Sequence, residues 1–134
     1  MGACDKETTF GILDYFYEQG GNFIDTANNY QNEESETWIG EWMEKRGVRD
    51  QMVIATKYTT PYRHGQRDEI VANTGGNGVK SMMTSVRESL KKLRTDYIDV
   101  VSFHSISLSM ITVTDIPASS MSTGGTTRPP FPRS

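Results

Sequence analysis

Apolar residues recur three and four positions apart, the spacing of an amphipathic helix, in three stretches of the chain. The first stretch follows Asp5, which can cap a helix, and ends at Gly20 and Gly21. The second runs from about residue 35 to residue 46 and ends at Gly47. The third is the most regular, because its apolar and charged residues lie on opposite faces. Its apolar positions are Val79, Met82, Met83, Val86, Leu90 and Leu93, and its charged positions are Lys80, Arg87, Glu88, Lys91 and Lys92.

The first two helices also show which side chains should enter a core. The predicted stripe of the first helix comprises Phe10, Leu13 and Tyr17, widened by Ile12 and Phe16. The predicted apolar face of the second comprises Trp38, Ile39, Trp42 and Met43. Three glutamates lie near the start of this second helix, where a carboxylate interacts favourably with the helix dipole. Glu33, Glu34 and Glu36 therefore predict an acidic cap.

Three short apolar runs alternate with the helices and predict β-strands. They are "NFID" at residues 22–25, "MVIAT" at 52–56 and "YIDVVSF" at 97–103. The middle run is continuous and rich in β-branched residues, which is typical of a strand buried on both faces of a parallel sheet. Asp99 interrupts the last run, and we expect a charge on the opposite face to pair with it. Repeated helix-strand order implies a parallel α/β sheet, either open and doubly wound or closed into a barrel.

The alternating pattern ends after His104. Residues 105–134 hold twelve Ser or Thr and four of the five prolines but no lysine or glutamate, the composition of a disordered tail. Only "SMITV", residues 109–113, resembles a strand there. We therefore predict a domain over residues 1–104 and a Ser/Thr/Pro-rich, disordered tail over residues 105–134.

Composition narrows the class of function. The net charge of −3 and a pI near 5.4 argue against nucleic acid or an anionic membrane as the partner, because both need clustered Lys and Arg. One cysteine, Cys4, and two histidines without ligand spacing predict no intrachain disulfide and no metal site. No apolar stretch approaches the roughly 18 residues of a membrane span. We expect a cytoplasmic protein that binds a small molecule.

Four residues suited to proton chemistry lie at or just after the carboxyl ends of the three predicted strands, where parallel α/β folds place their sites. They are Asp25 with the nearby Tyr30, Lys57 and His104. A tyrosine hydroxyl ordinarily keeps its proton to about pH 10 and needs a neighbouring cation to act as an acid. Lys57 can be that cation, Asp25 can keep Lys57 charged, and His104 can orient a carbonyl oxygen. The set predicts a site that protonates a carbonyl oxygen while a hydride reaches its carbon.

Each of these residues also has an ordinary structural interpretation. A strand-end Asp is commonly a turn residue, and a Lys there is commonly solvated. Tyr is often half-buried packing, and a strand-end His is more often structural than catalytic. The case for a site rests on four suitable types at the ends of three strands. By contrast, the glycine-rich "TGGNG" of residues 74–78 follows no strand and predicts a loop or helix start rather than a phosphate site.

Three ordered motifs resemble the first half of an aldo-keto reductase. They are "GGNFIDTANNY", "ATKY" and "SVRESLKKLRTDYIDVVSFH", and the likeness, from about residue 2 to residue 104, is greatest to the fungal aryl-alcohol dehydrogenases and norsolorinic acid reductases. The resemblance implies a partial TIM (β/α)8 barrel of about three βα units and NADPH-dependent reduction of an aldehyde or ketone. It implies Tyr30 as proton donor, Lys57 as the cation that makes it more acidic, Asp25 as the partner of Lys57 near the nicotinamide, and His104 as a substrate-binding residue.

The departures from the family predict a chain truncated at both ends. Family members begin with a hairpin and a first barrel strand, carry a tryptophan after the histidine, and continue through four more strand-helix units. Here Ser105 opens an unrelated tail, as after a mispredicted intron or a frameshift. Three strands would leave two unpaired edges, so we expect marginal stability and little turnover. An inactive fragment that associates with another chain remains an alternative, as does a doubly wound nucleotide-binding domain, which the absence of a phosphate loop disfavours.

Overall fold

A computed structural model describes residues 4–61 and 75–103, together with the backbone of residues 110–111. The α-helices in these ranges are α1 (Lys6–Glu18), α2 (Glu34–Arg46) and α3 (Val79–Leu93), and Arg49–Gln51 forms a short 3-10 helix. The strands are β1 (Phe23–Asp25), β2 (Val53–Lys57), β3 (Val100–Ser102) and β4 (Met110–Ile111). The predicted alternation of helix and strand is confirmed through β3.

The described strands form one sheet in the order β1-β2-β3-β4. β1, β2 and β3 run parallel, with Ile24 paired to Ile54 and Thr56 paired to Val101. Three consecutive residues of β2, from Ile54 to Thr56, are buried, which confirms a strand covered on both faces. The order of these strands does not reverse, so the doubly wound alternative gains no support.

β4 corrects one expectation about the edges of the sheet. Its backbone runs antiparallel to β3 and pairs Met110 with Ser102 and Ile111 with Val101. The predicted unpaired edge at β3 is therefore wrong, because β4 occupies it, while β1 remains at the other edge. β4 lies within the "SMITV" stretch. The rest of the predicted tail, residues 105–109 and 112–134, lies outside the described residues.

The helix ends follow from local chemistry. Thr8 N donates a hydrogen bond to Asp5 Oδ1 at 2.8 Å, so the predicted N-terminal cap of α1 is confirmed. α2 ends at Gly47, whose φ of 66° lies in the left-handed region that glycine adopts without a Cβ penalty. Its amide donates to Met43 O at 2.8 Å and thereby satisfies one of the last carbonyls of the helix.

The three helices and the sheet share one apolar core. Its most deeply buried side chains are Ile39, Trp42, Met43, Ile54, Leu93 and Val101. Gly40 lets α2 and α3 approach closely, because a Cβ at this position would lie 2.3 Å from Lys92 O, closer than the two atoms can come. The spacing of these helices therefore depends on a residue without a side chain.

Three predicted core residues are less buried than their pattern suggested. Val79 is 73% exposed and Ile12 is 50% exposed, while Trp38 is half-buried. Helical periodicity identifies the apolar face of a helix, but it carries no information on how far the packed layer extends along that face. α3 begins at Val79, and the packed layer starts only after its first residues.

Arg49 lies at the amino-terminal end of the sheet and pairs with Asp99, for which the sequence alone identified no partner. Its Nη2 donates to Asp99 Oδ2 at 2.8 Å, and the same oxygen accepts a hydrogen bond from Ile54 N at 2.8 Å. β3 begins at Val100, so Asp99 lies just before the strand and not inside it as the sequence predicted. Its carboxylate satisfies a backbone amide of β2. The guanidinium also donates to Thr95 Oγ1 at 3.1 Å, Met52 O at 2.8 Å and Tyr97 O at 2.9 Å.

Candidate active site

Asp25 and Lys57 meet at the carboxyl ends of two adjacent parallel strands. Lys57 Nζ donates to Asp25 Oδ2 at 2.5 Å and to Thr26 O at 3.0 Å. The lysine side chain is 23% exposed and the aspartate side chain is 54% exposed. The two opposite charges form an ion pair that holds the Lys57 ammonium at this end of the sheet, on the side where the chain leads to Tyr30.

Tyr30 lies over this ion pair. Lys57 Nζ is 5.5 Å from the centroid of the Tyr30 ring, and the residue is 43% exposed. The loop that carries Tyr30 is anchored on β2, since Asn28 N donates to Lys57 O at 3.0 Å. Tyr30 N donates to Ala27 O at 3.3 Å within the loop. The structure thus brings together three of the four residues named from the sequence, and the fourth, His104, lies outside the described residues.

A small cleft opens beside these residues, with a volume of about 230 Å³. Its walls are formed by Ala27, Asn29, Tyr30, Lys57, Tyr58 and Thr60. Sequence reasoning did not select Tyr58, Asn29 or Thr60, although Tyr58 directly follows Lys57 and so lies at the same strand end. Tyr58 is 5% exposed, and burial raises the pKa of its hydroxyl, which therefore stays neutral. Its ring also meets the Phe103 ring edge-on at a centroid distance of 6.4 Å.

The chain leaves Tyr30 through a left-handed turn. Gln31, Asn32 and Glu33 have φ values of 52°, 52° and 76°, a region that side-chain-bearing residues rarely occupy in succession. Ser35 N donates to Tyr30 O at 3.3 Å and Glu34 N donates to Gln31 O at 3.1 Å as the turn passes into α2. The predicted acidic start of α2 is confirmed, since Glu33 is its N-cap residue and Glu34 and Glu36 lie in its first turn, although the Glu33 side chain makes no capping hydrogen bond.

Glu36 and Lys92 form a buried ion pair that the sequence pattern did not predict. Glu36 lies in the first turn of α2 as predicted, but it is fully buried and accepts a hydrogen bond from Thr56 Oγ1 at 2.6 Å. Lys92 was expected on the charged outer face of α3, but its side chain is only 14% exposed. Its Nζ lies 2.8 Å from Glu36 Oε2. The two groups form an ion pair, but their relative orientation does not meet the angles of a hydrogen bond. Glu33 Oε1 lies 3.1 Å from the same ammonium.

These arrangements can support acid chemistry at a carbonyl oxygen. A phenol beside an ammonium can donate a proton, and both groups open toward a cleft that can receive a small molecule. Among the residues that the structure describes, no group of three or more His, Cys, Asp and Glu is placed to hold a metal ion. None of the helices in the described ranges is both long and apolar enough to traverse a bilayer.

A family model described as "Aldo/keto reductase family" matches residues 1–110. Norsolorinic acid reductase B from Dothistroma septosporum is 60% identical over 103 residues, covering 77% of this chain and 26% of that protein. An aryl-alcohol dehydrogenase [NADP(+)] from Phanerodontia chrysosporium is 59% identical over 107 residues, covering 78% of this chain and 28% of that protein. The chain thus spans between about a quarter and a third of the length of these two curated relatives.

Solved structures show the same fold. A putative aldo-keto reductase from Pseudomonas aeruginosa is 31% identical with a TM-score of 0.60, over 78% of this chain and 37% of that one. An aldo-keto reductase from Bacillus halodurans in its holo form is 27% identical with a TM-score of 0.63, over 74% of this chain and 31% of that one. The prediction of a partial TIM barrel with three parallel strands is therefore confirmed.

Proposed function

The chain belongs to the aldo/keto reductase family, a family of oxidoreductases, and from that premise we propose that it carries the proton-donating part of a site that reduces an aldehyde or ketone with NADPH. The observation that carries the proposal is the position of the Lys57 ammonium, 2.5 Å from Asp25 Oδ2 and 5.5 Å from the centroid of the Tyr30 ring. A cation in that position stabilises negative charge as it forms on the phenol oxygen.

Tyr30 is the proposed proton donor. Its ring lies at the wall of the cleft, where a carbonyl oxygen can approach its hydroxyl, and 43% exposure leaves room for that approach. In the reducing direction the phenol O–H bond breaks, the carbonyl oxygen gains the proton, and the phenolate is stabilised by Lys57. In the oxidising direction the same phenolate takes the proton of the alcohol.

Lys57 and Asp25 act together. The ammonium donates to both Asp25 Oδ2 and Thr26 O, so its direction is fixed before a substrate arrives. Asp25 pairs with the lysine and its side chain is 54% exposed, which leaves part of its carboxylate open to a neutral donor such as a carboxamide. His104 is the proposed substrate-orienting residue by resemblance alone.

NADPH is the proposed cofactor and would supply the hydride. The described residues suit only its reactive end, since Asp25 and the open cleft could meet a nicotinamide ring and its carboxamide. No glycine-rich phosphate loop follows β1 or β2 in the described part of the chain. The printed name of the Phanerodontia relative includes NADP(+), which supports this choice.

The proposed substrate is a small carbonyl compound or alcohol of the aryl type that the names of the relatives suggest. Tyr30 and Tyr58, which line the cleft, support the choice because aromatic edges and faces are favourable neighbours for an aromatic substrate. A cytoplasmic location also remains a proposal, supported by family membership, and imaging of a tagged chain in its host would test it.

The direct test follows NADPH oxidation by the full chain with an aromatic aldehyde. Tyr30→Phe removes only the hydroxyl and should lower kcat by about 10² to 10⁴, the usual contribution of a positioned acid. Tyr15→Phe is the matched control, because Tyr15 is 67% exposed on α1 and lies outside the cleft. Turnover that survives in Tyr30→Phe would refute the assignment of Tyr30.

A second candidate function is that of an inactive fragment that associates with another chain. The observation in its favour is β1, which stands at the edge of the sheet with Phe23 53% exposed. Sedimentation of the purified chain distinguishes the two. A monomer with a cooperative thermal transition and measurable NADPH binding counts against association, whereas absent turnover together with a stable oligomer supports it.

A further inference from the structure

The left-handed turn after Tyr30 needs support from outside itself. Three successive residues with positive φ are each held in a sparsely populated backbone region, and such conformations persist only where surrounding contacts impose them. Within the turn, the hydrogen bonds are long or local, with Tyr30 N to Ala27 O at 3.3 Å and Ser35 N to Tyr30 O at 3.3 Å. The direction of the Tyr30 side chain therefore depends on whatever fixes both sides of the turn.

Lys92 contacts the chain on both sides of Tyr30. Its Nζ donates to Asn28 O at 3.0 Å, two residues before Tyr30, and to Glu33 Oε1 at 3.1 Å, three residues after it. A single ammonium thus bridges the start and the end of the loop. Because Lys92 belongs to α3, 59 positions from Glu33 in sequence, these contacts connect the loop to a separate element.

Glu36 holds the Lys92 ammonium in place. Its carboxylate is fully buried, with Oε2 2.8 Å from Lys92 Nζ and Oε1 accepting from Thr56 Oγ1 at 2.6 Å. A buried carboxylate is costly unless it is paired, and Lys92 compensates the charge of Glu36. Thr56 immediately precedes Lys57 on β2, and the cluster therefore connects the loop of Tyr30 to the strand that presents Lys57.

The close packing of α2 on α3 sets the reach of this lysine. At Gly40 an added Cβ would meet Lys92 O at 2.3 Å and Leu93 C at 2.6 Å, so the helices touch one turn from Glu36. The Lys92 side chain can then reach Glu36 and the loop at once.

We propose that Lys92 is a positioning residue for Tyr30, acting through its bonds to Asn28 and Glu33 and held by Glu36. It keeps the phenol over the Lys57 ammonium and does not touch the substrate. The inference rests on the proposed role of Tyr30 as proton donor and assigns part of that role to a lysine of α3.

The test compares Lys92→Met with Lys91→Met in the full chain. Both variants replace a lysine of the last turn of α3 by an uncharged chain of similar length. Lys91 is a matched control because its side chain is 71% exposed and, within the described residues, its ion pair is the local one with Glu88 at 2.7 Å. The readouts are nuclear Overhauser contacts between the Tyr30 ring and the Lys57 side chain, and amide hydrogen exchange.

Lys92→Met should lose the Tyr30–Lys57 contact and speed exchange of the Tyr30 and Ser35 amides on the order of tenfold. The Thr26 amide is the internal reference, since it donates to Ala55 O at 2.8 Å within the sheet ladder. A general loss of stability would speed exchange at Thr26 as well, whereas a positioning role leaves it unchanged. Lys91→Met should match the parent chain, and Lys92→Arg should restore part of the contact.

The proposal is overturned if Lys92→Met keeps the Tyr30–Lys57 contact, or if its effects on Tyr30, Ser35 and Thr26 are equal. If Lys92→Met fails to fold, Glu33→Gln tests the proposal instead. It weakens the contact between Lys92 and Glu33, whose side chain is half-exposed, and it leaves the buried Glu36 unchanged. Faster exchange at Tyr30 and Ser35 in that variant supports the proposal, and unchanged exchange refutes it. These readouts need no turnover, so failure of the proposed function, seen as activity in Tyr30→Phe, is a separate result.

Discussion

The two ends of the parallel sheet each hold a cation paired with a carboxylate, and they use the pair differently. At the amino-terminal end Arg49 Nη2 lies 2.8 Å from Asp99 Oδ2, with side chains 15% and 28% exposed. At the carboxyl end Lys57 Nζ lies 2.5 Å from Asp25 Oδ2, with side chains 23% and 54% exposed. The distances are similar, so the difference lies in what surrounds each pair.

Both cations line a cleft, but Arg49 is bonded to more groups of the protein than Lys57 is. The guanidinium donates to three other residues and stacks on the Tyr97 ring at 3.7 Å from its centroid. Among the described residues, the Lys57 ammonium donates to one carboxylate and one carbonyl, and it also lines the cleft beside Tyr30. We therefore expect the more fully bonded Arg49 pair to contribute mainly to stability, and the Lys57 pair, which lies beside Tyr30, to act on a ligand.

The largest effect on stability is expected at the amino-terminal end of the sheet, where Arg49 pairs with Asp99. Arg49→Met leaves Asp99 without its cation and the Met52 and Tyr97 carbonyls without a donor, and it should cost about 3 kcal/mol of unfolding free energy. Urea denaturation of the parent protein and of the variant measures the difference in unfolding free energy. Lys91→Met, at an exposed position, is the control and should change stability by less than about 0.5 kcal/mol. Equal effects of the two substitutions would show that the Arg49 cluster carries no special stability.

Asp99→Asn should have an intermediate effect. The amide oxygen of asparagine can still accept from Ile54 N, so the strand contact survives, but the charge opposite Arg49 is lost. We expect a loss of about 1 to 2 kcal/mol by urea denaturation. If the loss equals that of Arg49→Met, the carboxylate charge and not the set of donors accounts for the cluster.

At the carboxyl end of the sheet, Lys57→Met should affect activity more than stability. The pair is partly exposed, so removing the lysine should change the unfolding free energy by no more than about 1 kcal/mol. Any NADPH oxidation should fall by at least about 10², because Tyr30 loses its cation. Measuring both quantities on one preparation sharpens the comparison, and a large stability loss with retained turnover would reverse the roles of the two ends.

The smallest expected effect at neutral pH concerns Tyr97, beside Arg49, because its contribution to stability changes only above about pH 10. Burial and the hydrogen bond to Asp50, in which Tyr97 Oη donates at 2.7 Å, raise the pKa of Tyr97 to about 12. The unfolded chain releases this proton near pH 10, so the contribution of Tyr97 is complete below about pH 10 and declines as the pH rises toward about 12. Unfolding free energies across this range should fall less steeply in Tyr97→Phe, and identical slopes would contradict the assignment.

Local pattern was sufficient for the helices and for the candidate site residues on β1 and β2. α1 begins after Asp5 and α2 ends at Gly47, as their capping chemistry predicted. Asp25 and Lys57 meet because parallel strands bring their carboxyl ends together, a rule that holds before any side chain is placed. The roles of these residues, and of His104, stay predictions until activity is measured.

The order of the elements, the parallel pairing of β1 to β3 and the family could all be inferred from spacing and motifs along the chain. The partners of the charged residues could not, because they lie on distant elements that come together only in the folded protein. Lys92 and Glu36 carry the pattern of solvated helix residues, yet they meet in a nearly dry cluster 56 positions apart in sequence. Arg49 likewise finds Asp99 across 50 positions. Periodicity records the face on which a residue lies, whereas a charge is paired or solvated according to what packs against that face, and that depends on the distant elements brought there by folding.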